Sequence, residues 1–292
     1  MRSRWAKPDR VTGAVRLNPS HGPSLKLRRT IALSATLVVI AIFWGIAGWE
    51  ASRLGRPAFF TGFTLLSGLA LLMLLGVRRR LPFWPLGSVS TWTQIHLYVG
   101  LFTTAIYVLH VPALVAGGML ESFLSIVFLM VTASGFYGIY ASRTLPKRLT
   151  AVEGQHRFDR IDWVRNQIAT AAEKACQQIS EASAQQVLQT FYQQALSPFF
   201  VSRPSLAYVI APNGNRRRQL LGDLKELDRY LEDEGRRVAG QLAALVRRRD
   251  DLDYQFALQL RLRCWVVFHS LLSLVLLAVA LVHMLAVLQY IG

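Results

Sequence analysis

Five stretches of this chain run for about 20 residues or more with no Lys, Arg or Asp in their interior: 30–49, 58–77, 94–116, 120–141 and 264–290. Crossing the hydrocarbon core of a bilayer takes about 20 apolar residues of helix. The expected fold class is therefore all-α, an integral membrane helical bundle of five transmembrane helices. The first, TIALSATLVVIAIFWGIAGW, follows Arg28-Arg29 as a signal peptide would. Its apolar run is long for a signal h-region and no small-x-small cleavage site follows, so it reads as a retained helix.

Charge sets the expected orientation. The 292 residues are 52% hydrophobic, yet carry 33 Lys+Arg against 17 Asp+Glu. Most of the basic residues flank the apolar runs, which points to topology and anionic lipid rather than nucleic acid. They cluster in the N-terminal tail, at Arg78-Arg79-Arg80, and at Arg143, Lys147 and Arg148. The alternate connections hold Arg53 and Arg56 on one and Glu121 on the other. The positive-inside rule then places the N-terminus in the cytoplasm and the C-terminus outside, with a bacterial inner membrane as the expected location.

The expected organisation is a basic cytoplasmic tail over 1–29, four transmembrane helices over 30–142, a mostly helical cytoplasmic insert over 143–263, and a fifth transmembrane helix over 264–292. In the insert, 159–196 is rich in Ala, Gln and Glu and predicts helix. The stretch SPFFVSRPSLAYVIAPNGN, with its Pro and Gly-Asn turn signals, predicts a short hairpin. From about Arg216, an apolar stripe of Leu220, Leu224, Leu227, Leu231, Val238, Leu242 and Leu245 predicts a long helix running on towards Cys264. The insert has no flavin, nicotinamide or P-loop signature. Its basic runs, Arg216-Arg217-Arg218 and Arg247-Arg248-Arg249, could steer an acidic redox protein or lie on anionic lipid.

Histidine placement carries the chemistry. His96 and His110 stand 14 residues apart in one apolar run, and His269 and His283 stand 14 apart in another. At about 100° per residue, 14 residues turn about 1400°, which brings both imidazoles of a helix to one face about 21 Å apart. The expected topology has the two helices running in the same direction, so His96 faces His269 at the cytoplasmic depth and His110 faces His283 at the outer depth. Facing neutral imidazoles in an apolar bundle suit axial ligation of a haem iron, so the expected cofactors are two non-covalent haem b groups. Gly100, one turn above His96, leaves room for a macrocycle edge. Zinc fits poorly, because its ligands must converge on one point. Two cysteines, Cys176 and Cys264, and no Cys-x-x-Cys-His exclude a disulfide framework and a c-type haem. His21 and His156 lie in polar segments and read as solvated.

The paired histidines, the lead-in LPFWPLGSVSTWTQIHLYVG and the run SGFYGIYASRTLPKR resemble the di-haem cytochrome b architecture, the ferric-reductase-like group in particular. The resemblance covers about 80–148 and 262–292. It implies haem ligation by His96, His110, His269 and His283, and electron transfer across the membrane. That group appends a flavin and nicotinamide module after its last helix, and the chain reaches Gly292 without one. The expectation is a cytochrome b subunit of a larger redox complex. Its expected partners are the membrane, a cytoplasmic flavin or iron–sulfur protein and an outer-side cytochrome c. A quinone-reactive anchor of a reductase or dehydrogenase is the second reading. A haem-free membrane anchor or transporter is the third. Haem propionates need cationic partners. Arg53 and Arg56 are the candidates on the outer side, with Arg261, Arg263 and Arg78-Arg79-Arg80 on the cytoplasmic side.

Overall fold

In a computed structural model of the chain, residues 25–53, 55–80, 88–150, 154, 156–180 and 182–290 are described. Most of the N-terminal tail, the lead-in at 81–87, and the side chains of Arg79 and Arg80 lie outside them. The described residues form helices and connecting turns, with no strand among them. The chain divides into two compact units, 1–112 and 113–292.

The first unit is three helices: α1 (Leu25–Ser52), α2 (Pro57–Arg80) and α3 (Val89–His110). Phe43 of α1 stacks on Phe60 of α2 at 5.5 Å and meets Phe102 of α3 edge-on at 5.2 Å. Close approach of α2 to α3 needs a missing side chain: a Cβ at Gly68 would come within 2.6 Å of the Thr103 hydroxyl. Ser88 caps α3 by accepting from the Thr91 amide at 3.1 Å, and Pro112 follows directly after its C-cap at Val111.

In the second unit, α4 (Met119–Thr150) runs antiparallel to a single helix of 57 residues, Asp233–Gln289. At 1.5 Å per residue that helix, α10, is about 85 Å long. Ala141 and Leu145 of α4 are buried with Leu258 of α10. Further along, the Trp265 indole fills the space that a Cβ on Gly138 would take, and its Nε1 donates to the Ser134 carbonyl at 2.8 Å.

Among the described residues, four helices are long and apolar enough to cross a membrane: 29–52 within α1, 57–78 within α2, α4 and α10. That is consistent with a membrane protein, and it is one fewer than the five expected. The shortfall is α3, where two histidines, Gln94, four threonines and two tyrosines lower the hydropathy of an otherwise apolar helix.

Between α4 and α10 lie α5 (Ile161–Gln177), α6 (Ala182–Phe191), α7 (Ser197–Val201), α8 (Leu206–Ile210) and α9 (Asn215–Leu227). Ile161, Val164, Ile168, Ala172 and Cys176 give α5 one buried face, packed with Leu188, Leu196, Phe200, Leu220, Leu224, Leu242 and Val246. The expected hairpin is not there; α7 and α8 occupy that stretch. Pro198 sits in the first turn of α7, where a missing N–H costs nothing, and Ser205 caps α8 by accepting from the Tyr208 amide at 3.2 Å. The same residues that signal turns between strands serve here as helix starts. The predicted long helix is broken at Asp228–Tyr230 by a 3₁₀ turn, and Leu231 is extended before α10 begins.

A buried ion network ties these short helices to α10. The Arg249 side chain is fully buried; it donates to the Ser202 carbonyl at 2.6 Å and the Phe200 carbonyl at 3.3 Å, and pairs with Asp253. Arg165 also reaches Asp253, at 3.4 Å, and pairs with Asp162. Burial pushes the Asp253 carboxyl above its ordinary range, and the two guanidiniums pull it back. Asp250 accepts from the Tyr208 phenol and pairs with Arg217, each at 3.2 Å. Both basic runs thus lose a member to internal pairing, leaving Arg216, Arg218, Arg247 and Arg248 exposed.

Candidate functional site

Both histidines of α3 bond to α2. Nδ1 of His96 lies 3.2 Å from the Leu72 carbonyl oxygen, and Nδ1 of His110 lies 2.8 Å from the Thr61 hydroxyl. Both histidines of α10 approach α4. Nδ1 of His269 lies 2.6 Å from the Ser134 hydroxyl, and Nδ1 of His283 lies 3.7 Å from the Glu121 carboxylate. The interval of 14 therefore does what helical geometry requires, putting both imidazoles of each helix on the face that meets one neighbour. All four are part-buried.

A carbonyl oxygen can only accept, so His96 donates from Nδ1. The Thr61 hydroxyl also lies 2.9 Å from the Pro57 carbonyl, and with its proton there it accepts from His110. The Ser134 hydroxyl likewise lies 2.8 Å from the Val131 carbonyl, and with its proton there it accepts from His269. The Glu121 carboxylate stands 3.7 Å from Nδ1 of His283, within ion-pair distance and beyond hydrogen-bond reach. At the other three rings a donating Nδ1 leaves the ring's lone pair on Nε2.

Small residues let the partner helices come close. A Cβ on Gly62 would stand 3.3 Å from Cε1 of His110, and one on Gly135 would stand 3.9 Å from Cε1 of His269. Each glycine directly follows the hydroxyl residue that holds the ring: Thr61-Gly62 in α2 and Ser134-Gly135 in α4. Trp265 stacks on His269 with ring centroids 5.6 Å apart. Through its bond to the Ser134 carbonyl it braces the same turn that holds the imidazole.

Gly100 lies on the side of α3 that faces α2, where an added Cβ would touch Leu72 at 3.9 Å. Arg53 sits over the Trp49 ring at 4.0 Å and Arg56 over Phe59 at 5.8 Å. Arg263 covers Phe158 at 4.1 Å, and Arg261 is half-buried on α10. The guanidiniums of Arg53, Arg56 and Arg263 thus each lie over an aromatic ring.

Thr61, the Leu72 carbonyl, Ser134, Glu121 and Trp265 were not singled out from the sequence. The repeated hydroxyl–glycine step is the signal that could have found two of them.

Compared with known protein families, curated proteins and solved structures, the chain matches none.

Proposed function

We propose that this protein is a di-haem cytochrome b. In this reading His96, His110, His269 and His283 ligate two b-type haems that carry electrons across a membrane, as the cytochrome subunit of a larger redox complex. The observation that carries the reading is the oxygen atom that each Nδ1 meets, within hydrogen-bond distance at three of the four rings. A metal-bound histidine nearly always donates its other ring N–H to a carboxylate, carbonyl or water, which fixes its tautomer and orientation. Among the described residues, His96, His110 and His269 have an oxygen within hydrogen-bond distance of Nδ1 and His283 has a carboxylate 3.7 Å away, and these four share the interval of 14.

Bound haem would supply reversible one-electron chemistry at its iron. The chain's own residues do the rest. In this reading the four imidazoles would ligate through Nε2; Thr61, the Leu72 carbonyl and Ser134 orient three of them, with Glu121 beside the fourth; Gly62 and Gly135 admit the partner helices. The pairing of His96 with His269 and of His110 with His283 follows from the topology argued from sequence. In that topology α3 is the fifth span. Its polarity is compensated internally, since Thr103 and Thr104 donate to carbonyls one turn back at 2.8 Å and the histidines are met by α2. With two histidines at each iron there is no open position for a substrate. The function is electron transfer, with donor and acceptor proteins on the two sides. Arg53, Arg56, Arg261 and Arg263 are the proposed partners of the propionates.

A pyridine haemochrome assay on the purified protein tests the reading, with two haems per chain expected. His110→Ala and His269→Ala should each retain one, because the two depths are about 21 Å apart. A protein purified without haem, or two haems retained in either variant, overturns the assignment. The first outcome leaves a membrane anchor or transporter.

A further inference from the structure

The outward side of α8 is apolar, while its inward side holds its polar group. Leu206 and Ile210, four residues apart and so on one side of the helix, are 79% and 73% exposed. Ala207 beside them is exposed as well. On the other side Val209 is buried, and the Tyr208 phenol donates to Asp250 of α10 at 3.2 Å. A surface helix ordinarily turns its apolar side to the core and its polar side to water. We infer that α8 is the centre of a docking surface for a protein partner that presents a small apolar contact bordered by Asp and Glu side chains. The surface consists of Leu206, Ala207 and Ile210, with Arg216, Arg218 and Arg247 around them. It requires no haem and stands apart from the di-haem reading.

The ion network brings the basic residues to α8. Asp250 receives Tyr208 from α8 and Arg217 from the first turn of α9, so both segments meet α10 at one level. Arg217 also reaches Asp251, at 3.7 Å. Arg216 and Arg218 flank Arg217 and are exposed, and Arg218 donates to the neutral Asn215 side chain. Arg247 is exposed one turn before Asp251, on the same side of α10. The first turn of α9 holds no acidic residue to offset them. Three guanidiniums therefore border an exposed aliphatic pair.

Chemistry and position select the occupant. Leu and Ile side chains offer a nucleic-acid base no flat face to stack on. A second copy of this chain, with its net charge of +16, would set arginines against arginines, and like charges across an interface repel. Lipid stands too far away. The uncharged run of α10 begins at Cys264, 14 residues beyond Asp250 on one unbroken helix, which is about 21 Å. With that run as the membrane span, α8 is held about 21 Å outside the boundary. An interfacial helix sinks its apolar side only about 5–10 Å into the headgroup region, and charge is screened over about 8–10 Å. A protein of complementary charge remains. Its carboxylates meet the arginines, which steer the encounter and fix the register, and its apolar side chain covers Leu206 and Ile210, where burial supplies affinity.

The test is photo-crosslinking of the full-length protein in its native membranes, with Leu206→benzoylphenylalanine and, as a second variant, Ile210→benzoylphenylalanine. Tyr230, 86% exposed on the turn before α10, is the control position for the same replacement. Adducts are identified by mass spectrometry. The expected result is one protein adduct shared by positions 206 and 210 and missing at 230, whose crosslinked peptide holds an apolar residue among Asp and Glu. Arg216→Glu, Arg218→Glu and Arg247→Glu together should cut its yield at least about tenfold at an unchanged amount of protein in the membrane, and rising salt should cut it too. Lipid adducts, adducts to a second copy of this chain, an adduct whose yield ignores charge reversal, or no adduct above the level at 230 would each overturn the inference.

Discussion

Among the described residues Asp253 is the one counter-charge that Arg249 pairs with, and Arg165 shares it. Replacing it by Asn keeps the shape and removes the charge. Two guanidiniums are then left in the insert's interior: Arg249, fully buried, and Arg165, 3% exposed and still paired to Asp162. Removing one partner of a buried pair costs about 3–5 kcal/mol, because the remaining charge stays desolvated. The cost falls on a domain whose total stability is of order 5–15 kcal/mol. The assay is hydrogen–deuterium exchange of the full-length protein in detergent, read on peptides spanning α5 and α7–α8. At about 1.4 kcal/mol per tenfold, their slowest amides should exchange roughly two to nearly four decades faster. Asp251→Asn on the same turn, where the side chain is 45% exposed, is the control and should change exchange less than threefold. A double variant, R249M with D253L, should recover part of the loss but not all, since the Phe200 and Ser202 carbonyls lose their donor. Less than a tenfold change in D253N would refute the reasoning, and would mean that water reaches the network.

Burial pushes the Cys176 thiol up from its ordinary value of 9.0 to about 11. The folded state therefore holds that proton longer than the unfolded chain. Stability should be full below about pH 9 and fall by on the order of 2–3 kcal/mol as pH rises towards 11. Cys176→Ala should flatten that fall in urea titrations followed across the pH range. At pH 7 a maleimide should label exposed Cys264 and spare Cys176, measured by peptide mass after a short pulse. If the proposed haems are bound, Ser134→Ala should weaken retention of one by about 10–100-fold, read by haem transfer to an apo-acceptor protein, with Thr61→Ala doing the same for the other. Gly138→Ala drives a Cβ into the Trp265 indole and should cost about 1–3 kcal/mol, whereas Gly48→Ala meets no atom within 4 Å and should be near neutral in thermal unfolding.

The helices were legible because an apolar run of about 20 residues has few other solutions. The exception is instructive. The residues that make α3 interesting, His96, His110 and the threonines, are those that pull its hydropathy below that of its neighbours. The ligand candidates were legible from spacing alone, since 14 residues return a helix close to one face. The side chains that hold them were not. Thr61 and Ser134 read in sequence as small polar residues of a kind that helices tolerate by bonding their own carbonyls, and both do so. That they also meet a histidine is a property of helix pairing, which one chain's periodicity does not contain. Glu121 reads in sequence as a loop charge that helps set topology. Only the antiparallel register of α4 against α10 puts it beside His283. The short helices of the insert were misread because Pro198 and Ser205 begin helices and end strands with equal ease.

Synthesis order gives the α4–α10 pairing a time dimension. Gly138 is made well before Trp265, and Ser134 before His269, with the whole of α5–α9 emerging in between. At about 5–20 residues per second, the notch at Gly138 waits roughly 6–25 s for the indole that fills it. Through that interval α4 presents a small-residue face with no helix of its own unit to cover it. The insert's short helices must also wait, because Leu242, Val246 and Arg249, which complete their core, sit at the start of the same late helix. Both halves of this unit are therefore finished by one event, the emergence of α10, and a chain arrested before about residue 250 would have neither.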